Sequence, residues 1–297
     1  MKIRPETVIL IILLLVSTAL AADVNADLKK QMMINTSSDA LTTYSYSRLA
    51  ESNILYNNAT LQDRFDATKE TIGKVNLTAQ SGWWSHRLTD ASDGQVLTWQ
   101  GYFINGTEYW KEGENWTQFN LTDPQDVMAD YNEIESQAEL LNYSELTVTG
   151  SEKIDGEECY IVTARPISLI IEAILGTQIY ASYLSSPFPL PDEFENMDYD
   201  FENTTILDNS NVTITAWISK NTSLLRRMQI VSRVSINPSI LNITENDFAI
   251  QSSMNETTDY ADFGLPAKIE LPVEKIDTEY RLQGTDWRWA VFGLMEP

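Results

Sequence analysis

One cysteine and one histidine among 297 residues leave little room for the commoner kinds of protein chemistry. A lone cysteine excludes any intramolecular disulfide and any thiolate-rich zinc site. A lone histidine, His86, excludes a His-rich metal centre. Nothing in the sequence aligns His86 with a nucleophile and an orienting acid, as a catalytic triad requires. No Gly-x-Ser-x-Gly elbow and no glycine-rich phosphate loop is present. Basic residues are scarce as well. Twenty Lys and Arg face 43 Asp and Glu, a net charge of −23, which argues against nucleic acid or anionic headgroups as electrostatic partners. After the first 22 residues no apolar run is long enough to span a bilayer. The chain therefore reads as a non-enzyme with no cofactor and no bound metal.

What is present at the start is a leader. Lys2 and Arg4 precede an apolar run from Val8 to Val16, and Ala19-Leu20-Ala21 places small residues where a signal peptidase reads them. Residues 1–21 are expected to be a signal peptide, with cleavage after Ala21; the alternative is a retained anchor. Twelve N-x-[ST] sequons follow, at Asn35, Asn58, Asn76, Asn105, Asn115, Asn120, Asn142, Asn203, Asn211, Asn221, Asn242 and Asn255. Chance pairing of the 20 Asn with the Ser and Thr of the chain would give roughly 3.5. Such an excess points to an exported, N-glycosylated chain whose sequon asparagines face solvent. Many sequons with no possible disulfide fit an archaeal cell surface better than a eukaryotic secretory product. The single Cys159 lies in the apolar run Glu158-Cys159-Tyr160-Ile161-Val162 and is expected to pack as a small hydrophobe.

At 43% hydrophobic and 10% aromatic the chain can bury a core despite its charge. Asp23 to Leu41 reads as a short helix carrying Leu28, Met32 and Met33 at helical spacing. From Thr42-Thr43-Tyr44 to Leu121 the alternating pattern predicts an antiparallel meander. Within it Asn105-Gly106 is the preferred pair for a two-residue type I′ turn. That turn sets Ile104 opposite Thr107, Phe103 opposite Glu108 and Tyr102 opposite Tyr109, with Trp99, Gly101, Phe103 and Trp110 on one face. A second hairpin runs through Glu112-Gly113-Glu114-Asn115 to Trp116. Asp123-Pro124 opens a helix with the apolar stripe Val127, Met128, Tyr131, Ile134, Ala138 and Leu141. Strands resume at Leu146–Val148 and Glu158–Ala164, turning through Asp155-Gly156. Pro166 to Leu184 predicts a helix apolar almost all round, with Glu172 its one charge; such a helix must be buried or meet a ligand, partner or membrane. Pro187 to Asn211 reads as a loop. Its acidic run, Asp192, Glu193, Glu195, Asp198, Asp200 and Glu202, lacks the spacing of a calcium loop and reads as solvated. Later strands are expected at Val212–Ile218, Leu225–Ile236, Phe248–Ser253 and Lys268–Leu271, before a tail with Trp287, Arg288 and Trp289.

The order of these landmarks resembles the LolA-like superfamily, which includes LppX/LprG-type mycobacterial lipoproteins and related archaeal exported proteins. The matching pieces are Leu41-Thr42-Thr43-Tyr44-Ser45-Tyr46, the hairpins with Tyr109-Trp110 and Trp116, and Ile154-Asp155-Gly156-Glu157-Glu158-Cys159-Tyr160. Trp217-Ile218-Ser219-Lys220, and Phe263-Gly264-Leu265-Pro266 running on to Ile269-Glu270-Leu271-Pro272, complete them. The resemblance implies an α+β fold, a strongly curved antiparallel β-sheet (open or half barrel) wrapped around a few helices, with an apolar hollow for acyl chains. It brings no catalytic residues. Unlike the lipoprotein branches, this chain has no cysteine to acylate after its leader. The expected organisation is signal peptide 1–21, a single carrier-type domain 22–280 and a C-terminal tail 281–297. The expected function is an exported binding protein for a hydrophobic ligand, in transient contact with membrane at most. Ile170, Ile171, Ile174 and Leu175 form the first expected wall, and Trp99, Phe103 and Trp110 the second. The competing expectation is a structural or adhesive surface glycoprotein with a filled core and no ligand.

Overall fold

The computed structural model describes residues 26–37, 40–58, 60–91, 94–112, 115–120, 132–184, 209–237 and 248–271. The leader, the helix start at Asp123-Pro124 with Val127, Met128 and Tyr131, the acidic run and the tryptophan-bearing tail lie outside them. A helix over residues 26–36 (α1) precedes six strands, β1 (Thr43–Asn58), β2 (Gln62–Asn76), β3 (Ser81–Asp90), β4 (Val96–Ile104), β5 (Thr107–Glu112) and β6 (Asn115–Asn120). Helix α2 (Glu133–Asn142) follows, then β7 (Ser144–Ile154), β8 (Glu157–Pro166), α3 (Ser168–Leu184), β9 (Ser210–Ser219), β10 (Leu225–Ile236) and β11 (Phe248–Ala261).

All eleven strands form one antiparallel sheet in the order β6-β5-β4-β3-β2-β1-β11-β10-β9-β8-β7. Two meanders, β1 to β6 and β7 to β11, are thus joined by one long seam in which β1 pairs with β11 from Ser45↔Ala261 to Asn58↔Phe248. The sheet is open, with β6 and β7 at its two ends. Seven strand spacings separate β4 from β8, about 34 Å in a flat sheet. Yet Phe103 of β4 and Val162 and Ala164 of β8 belong to the same hydrophobic core as Leu28 and Met32 of α1 and Ile134, Ala138 and Leu141 of α2. The sheet is therefore strongly curved around its helices, as expected from the sequence.

Local chemistry explains the turns. Asn105 and Gly106 have φ of 52° and 78°, the positive values a type I′ turn needs, and the pairing is Ile104↔Thr107, Phe103↔Glu108 and Tyr102↔Tyr109 as anticipated. Asp155 and Gly156, at φ 50° and 84°, turn β7 into β8 in the same way. Two inward-facing glycines make room for rings. Tyr46 lies over its cross-strand partner Gly73, and Trp84 over Gly101; a Cβ on either glycine would meet the ring at 2.3 Å or 2.2 Å.

Two expected boundaries are corrected. Helix α1 ends at residue 36, not at Leu41, because a run of hydroxyl side chains turns back on the helix: Thr36 Oγ1 donates to Met32 O and Ser37 Oγ to Ile34 O, each at 2.8 Å. Lys268–Leu271 is not a strand. β1 is already paired on both sides, with β2 and β11, so the segment after Gly264 meets no open edge there. It is held instead at the strand ends, where Thr43 Oγ1 donates to Leu265 O at 2.7 Å and Asn76 Nδ2 to Ala267 O at 2.8 Å.

Eight sequon asparagines have described side chains. Asn105, Asn142, Asn211 and Asn221 are exposed, and Asn35, Asn58, Asn76 and Asn255 are half-buried; none of the eight is buried. Asn255 sits mid-strand on the outer face of β11, with its Nδ2 donating to Glu51. The side chains of Asn115, Asn120, Asn203 and Asn242 lie outside the described residues.

Candidate ligand-binding face

Strand alternation divides the sheet into an outer face, rich in Ser, Thr, Asn and charge, and an inner face carrying the core. On β1 the inner positions are Tyr44, Tyr46, Arg48, Ala50, Ser52, Ile54 and Tyr56. The helices pack on this inner side. Tyr44 Oη donates to Asn132 Oδ1 at 3.3 Å just before α2, and Arg48 is ion-paired to Glu133 within α2. Tyr56 Oη donates to Ser182 O of α3 at 2.7 Å.

Helix α3 lies across β10 and β11. Leu175, Gln178, Ile179 and Ser182, spaced i, i+3, i+4, i+7, are all buried. A helix that reads as uniformly apolar is nonetheless pinned by polar bonds. Gln178 Nε2 donates to Ser252 Oγ of β11 at 2.9 Å, and Ser232 Oγ of β10 donates to Gln178 Oε1 at 2.8 Å. Ser182 Oγ donates back to Gln178 O. The inner serines sit where alternation would place apolar side chains, so sequence patterning alone missed the clasp.

Of the first expected wall, Leu175 is fully buried, and Ile170, Ile171 and Ile174 are half-buried. Of the second, Phe103 is fully buried, Trp99 buried and Trp110 half-buried. Trp110 meets Trp84 edge-on at 6.0 Å, Phe103 belongs to the main core, and Trp110 and Ile174 are partly buried residues packed against that core. Trp99, Phe103 and Trp110 share the inner face as expected. Trp83 and Trp116 stand on the outer face, Trp83 against Tyr102 at 6.4 Å and Tyr102 against Trp116 at 5.5 Å, and belong to neither wall.

The inner face also holds charge that the sequence reading passed over. Burial pulls the Arg48 guanidinium down, but Glu133 and then Glu256 outweigh it and hold its pKa above the ordinary value. Burial raises the phenols of Tyr44 and Tyr260 well above theirs. Lys69 is buried with its Nζ 5.8 Å from the centre of the Trp99 ring. His86 stacks on Trp99 at 4.9 Å and shares a hydrogen bond between its Nδ1 and Thr71 Oγ1 at 2.9 Å. Burial, with Lys69 and Arg48 nearby, pulls its pKa down to about 2, so the ring is neutral. Cys159 is a buried free thiol in β8, with its pKa raised by burial and by Glu157. Among the described residues no three His, Cys, Asp or Glu side chains come together as metal ligands, and no helix is long and apolar enough to cross a membrane.

Fold and site together define an open, curved antiparallel sheet holding helices in its hollow, the architecture expected from the sequence. The chain is similar to the solved structure of LprF from Mycobacterium bovis, at 14% identity and a TM-score of 0.41, over 85% of this chain and 98% of that one. It is also similar to the lipoprotein LppX of Mycobacterium tuberculosis, at 12% identity and a TM-score of 0.37, over 82% and 99% of the two chains. A LolA superfamily protein from Nitrosomonas europaea shows 7% identity and a TM-score of 0.20, over 80% and 94%. No protein-family model matches the chain, and no curated protein matches it.

Proposed function

We propose that this protein is an exported, N-glycosylated carrier or sensor that binds a lipid or acyl chain between its curved sheet and α3. The observation that carries the reading is the lay of α3: a largely apolar helix inside the concave sheet, with Ile170, Ile171 and Ile174 half-buried beside the packed Leu175. Ligand would gain affinity from apolar area removed from water, at roughly 25 cal/mol per Å². The reading assigns no catalytic residue; His86, neutral and stacked on Trp99, serves as a packed hydrogen-bonding group. Transient membrane contact belongs to the same reading. Tyr143, Ile167 and Leu169 are 56%, 48% and 68% exposed at the α2–β7 and β8–α3 corners, and Ile167 N donates to Tyr143 O at 3.4 Å, which keeps the corners together. These three apolar side chains lie beside α3 and give a strongly acidic protein an apolar way to approach lipid.

Native mass spectrometry of the mature glycoprotein, with uptake of a fluorescent fatty acid, tests the proposal. Bound lipid and saturable uptake are expected, and Ile171→Asp should lower uptake by about tenfold or more, since it sets a charge against the acyl chain. Ile171 is the better probe because it is only half-buried, whereas Leu175→Asp would also break the core. A bare polypeptide with no uptake would sink the carrier reading. It would favour the second one, a surface glycoprotein with a filled core, which the full burial of Phe103, Leu175 and Ile179 supports.

A further inference from the structure

The sequons differ in one respect that bears on when each can be modified. The motif requires a hydroxyl two residues after the asparagine, and the transferring enzyme must reach both groups. In seven of the eight sequons with described side chains that hydroxyl is exposed or half-buried: Ser37, Thr60, Thr78, Thr107, Thr213, Ser223 and Thr257. The exception is Asn142-Tyr143-Ser144. Asn142 itself is exposed, but Ser144 is 3% exposed, and its Oγ donates to Leu140 O at 2.8 Å within the end of α2. Its backbone carbonyl accepts from Lys29 Nζ of α1 at 2.9 Å, and Tyr143 N donates to Glu139 O at 3.0 Å. Helix end, first strand residue and a neighbouring helix thus hold this sequon in one conformation. Asn58 is the contrast. Its loop exposes Thr60, whose hydroxyl donates to Asn58 Oδ1 at 3.1 Å and has no other partner among the described residues.

We propose that Asn142 is a folding-gated glycosylation site, modified only while the α2–β7 junction is unformed, whereas Asn58 stays open to modification in the folded protein. Once α2 has packed through Ile134, Ala138 and Leu141, exposing Ser144 requires unwinding the helix end and lifting it from α1. Occupancy at Asn142 is then set by a race between folding and transfer. The outcome matters for the apolar corner, because Tyr143 is the middle residue of this sequon. A glycan on Asn142 would stand beside Tyr143, whose carbonyl accepts from Ile167 N, and molecules that fold first keep that corner bare. This consequence rests on the proposed lipid-binding role; the gating itself does not.

The test uses full-length protein made without glycans, a purified oligosaccharyltransferase and a lipid-linked oligosaccharide, with occupancy of each sequon peptide read by mass spectrometry. Folded protein is compared with an Ile134→Asp/Leu141→Asp variant, shown by circular dichroism to be unfolded, and with wild-type chain diluted from urea into the reaction. Both asparagines should be filled in the unfolded chains. In the folded protein Asn58 should be filled and Asn142 reduced by about tenfold or more relative to it. Asn142 filled as readily as Asn58 in the folded protein, Asn142 empty in the unfolded chains, or Asn58 as closed as Asn142 on folding would each overturn the proposal. The assay contains no candidate ligand, so its result is separate from the carrier reading, which fails if lipid uptake is absent whatever the pattern of glycans.

Discussion

His86 shows how a buried inner-face residue can shape stability. Its folded pKa, about 2, lies far below the ordinary histidine value of about 6.5. Between those values the unfolded chain binds a proton that the folded chain does not, so stability is fully present above about pH 6.5 and falls as the pH drops below it. At pH 5 the expected loss is about 2 kcal/mol relative to pH 7.5. Chemical denaturation of wild type and His86→Gln at both pH values checks this; the variant should lack that part of the pH dependence. An unchanged slope would mean that the ring is protonated in place. The two ring-covered glycines make a second residue-scale case. Gly101→Ala puts a methyl group into the Trp84 indole and should destabilise by about 1–3 kcal/mol, while Gly150→Ala, whose Cβ would meet only Ile161 at 3.7 Å, should cost clearly less. Equal midpoints in thermal unfolding would show that Trp84 yields freely.

Among the elements, the β-hairpins were the most legible in the sequence, because their register depends on local turn chemistry. Asn105-Gly106 fixes two positive φ angles within two residues, and every predicted pair of that hairpin follows. The end of α1 and the segment at Lys268–Leu271 were less legible. The first depends on hydroxyls competing for helix carbonyls, and the second on which strand edges remain open once a non-local seam has formed. Of the candidate site, the face shared by Trp99, Phe103 and Trp110 was legible in the sequence. Phe103 belongs to the main core, with Trp110 and Ile174 packed against it, but Arg48, Lys69, His86 and Gln178 face the same interior and break the alternation that sequence reading relies on. Helix α3 shows why this matters. Its attachment depends on Gln178 as well as on Leu175 and Ile179. Gln178→Ala would leave the Ser232 and Ser252 hydroxyls without their partner and open a small cavity, at an expected cost of about 2–4 kcal/mol. Adding Ser232→Ala and Ser252→Ala should recover part of that cost, since removing all the polar partners is less damaging than stranding some of them. Urea denaturation of the single and triple variants measures both, and no recovery in the triple variant would assign the loss to packing alone.

At the scale of the whole molecule, the β1–β11 seam holds the two meanders together, joining the first strand to the last of the described residues. Strands β1 and β11 are bonded on both sides along most of their length, whereas β6 and β7 each have one bonded neighbour among the described residues, and β5 and β6 are short. Cooperativity should therefore decline from the seam towards the two ends of the sheet. Native-state amide exchange should find the slowest amides in β1, β2, β10 and β11, opening only with global unfolding. The β5–β6 hairpin should open at lower free energy, because it can leave the sheet without breaking the seam. Bound lipid sharpens the prediction. A ligand lodged between α3 and the sheet would slow exchange in α3, β10 and β11, where the helix is clasped, and leave β5 and β6 unchanged. Protection appearing instead at the β5–β6 end would move the ligand to the aromatic wall. A seam no slower than the hairpins would mean that the two meanders unfold as separate halves.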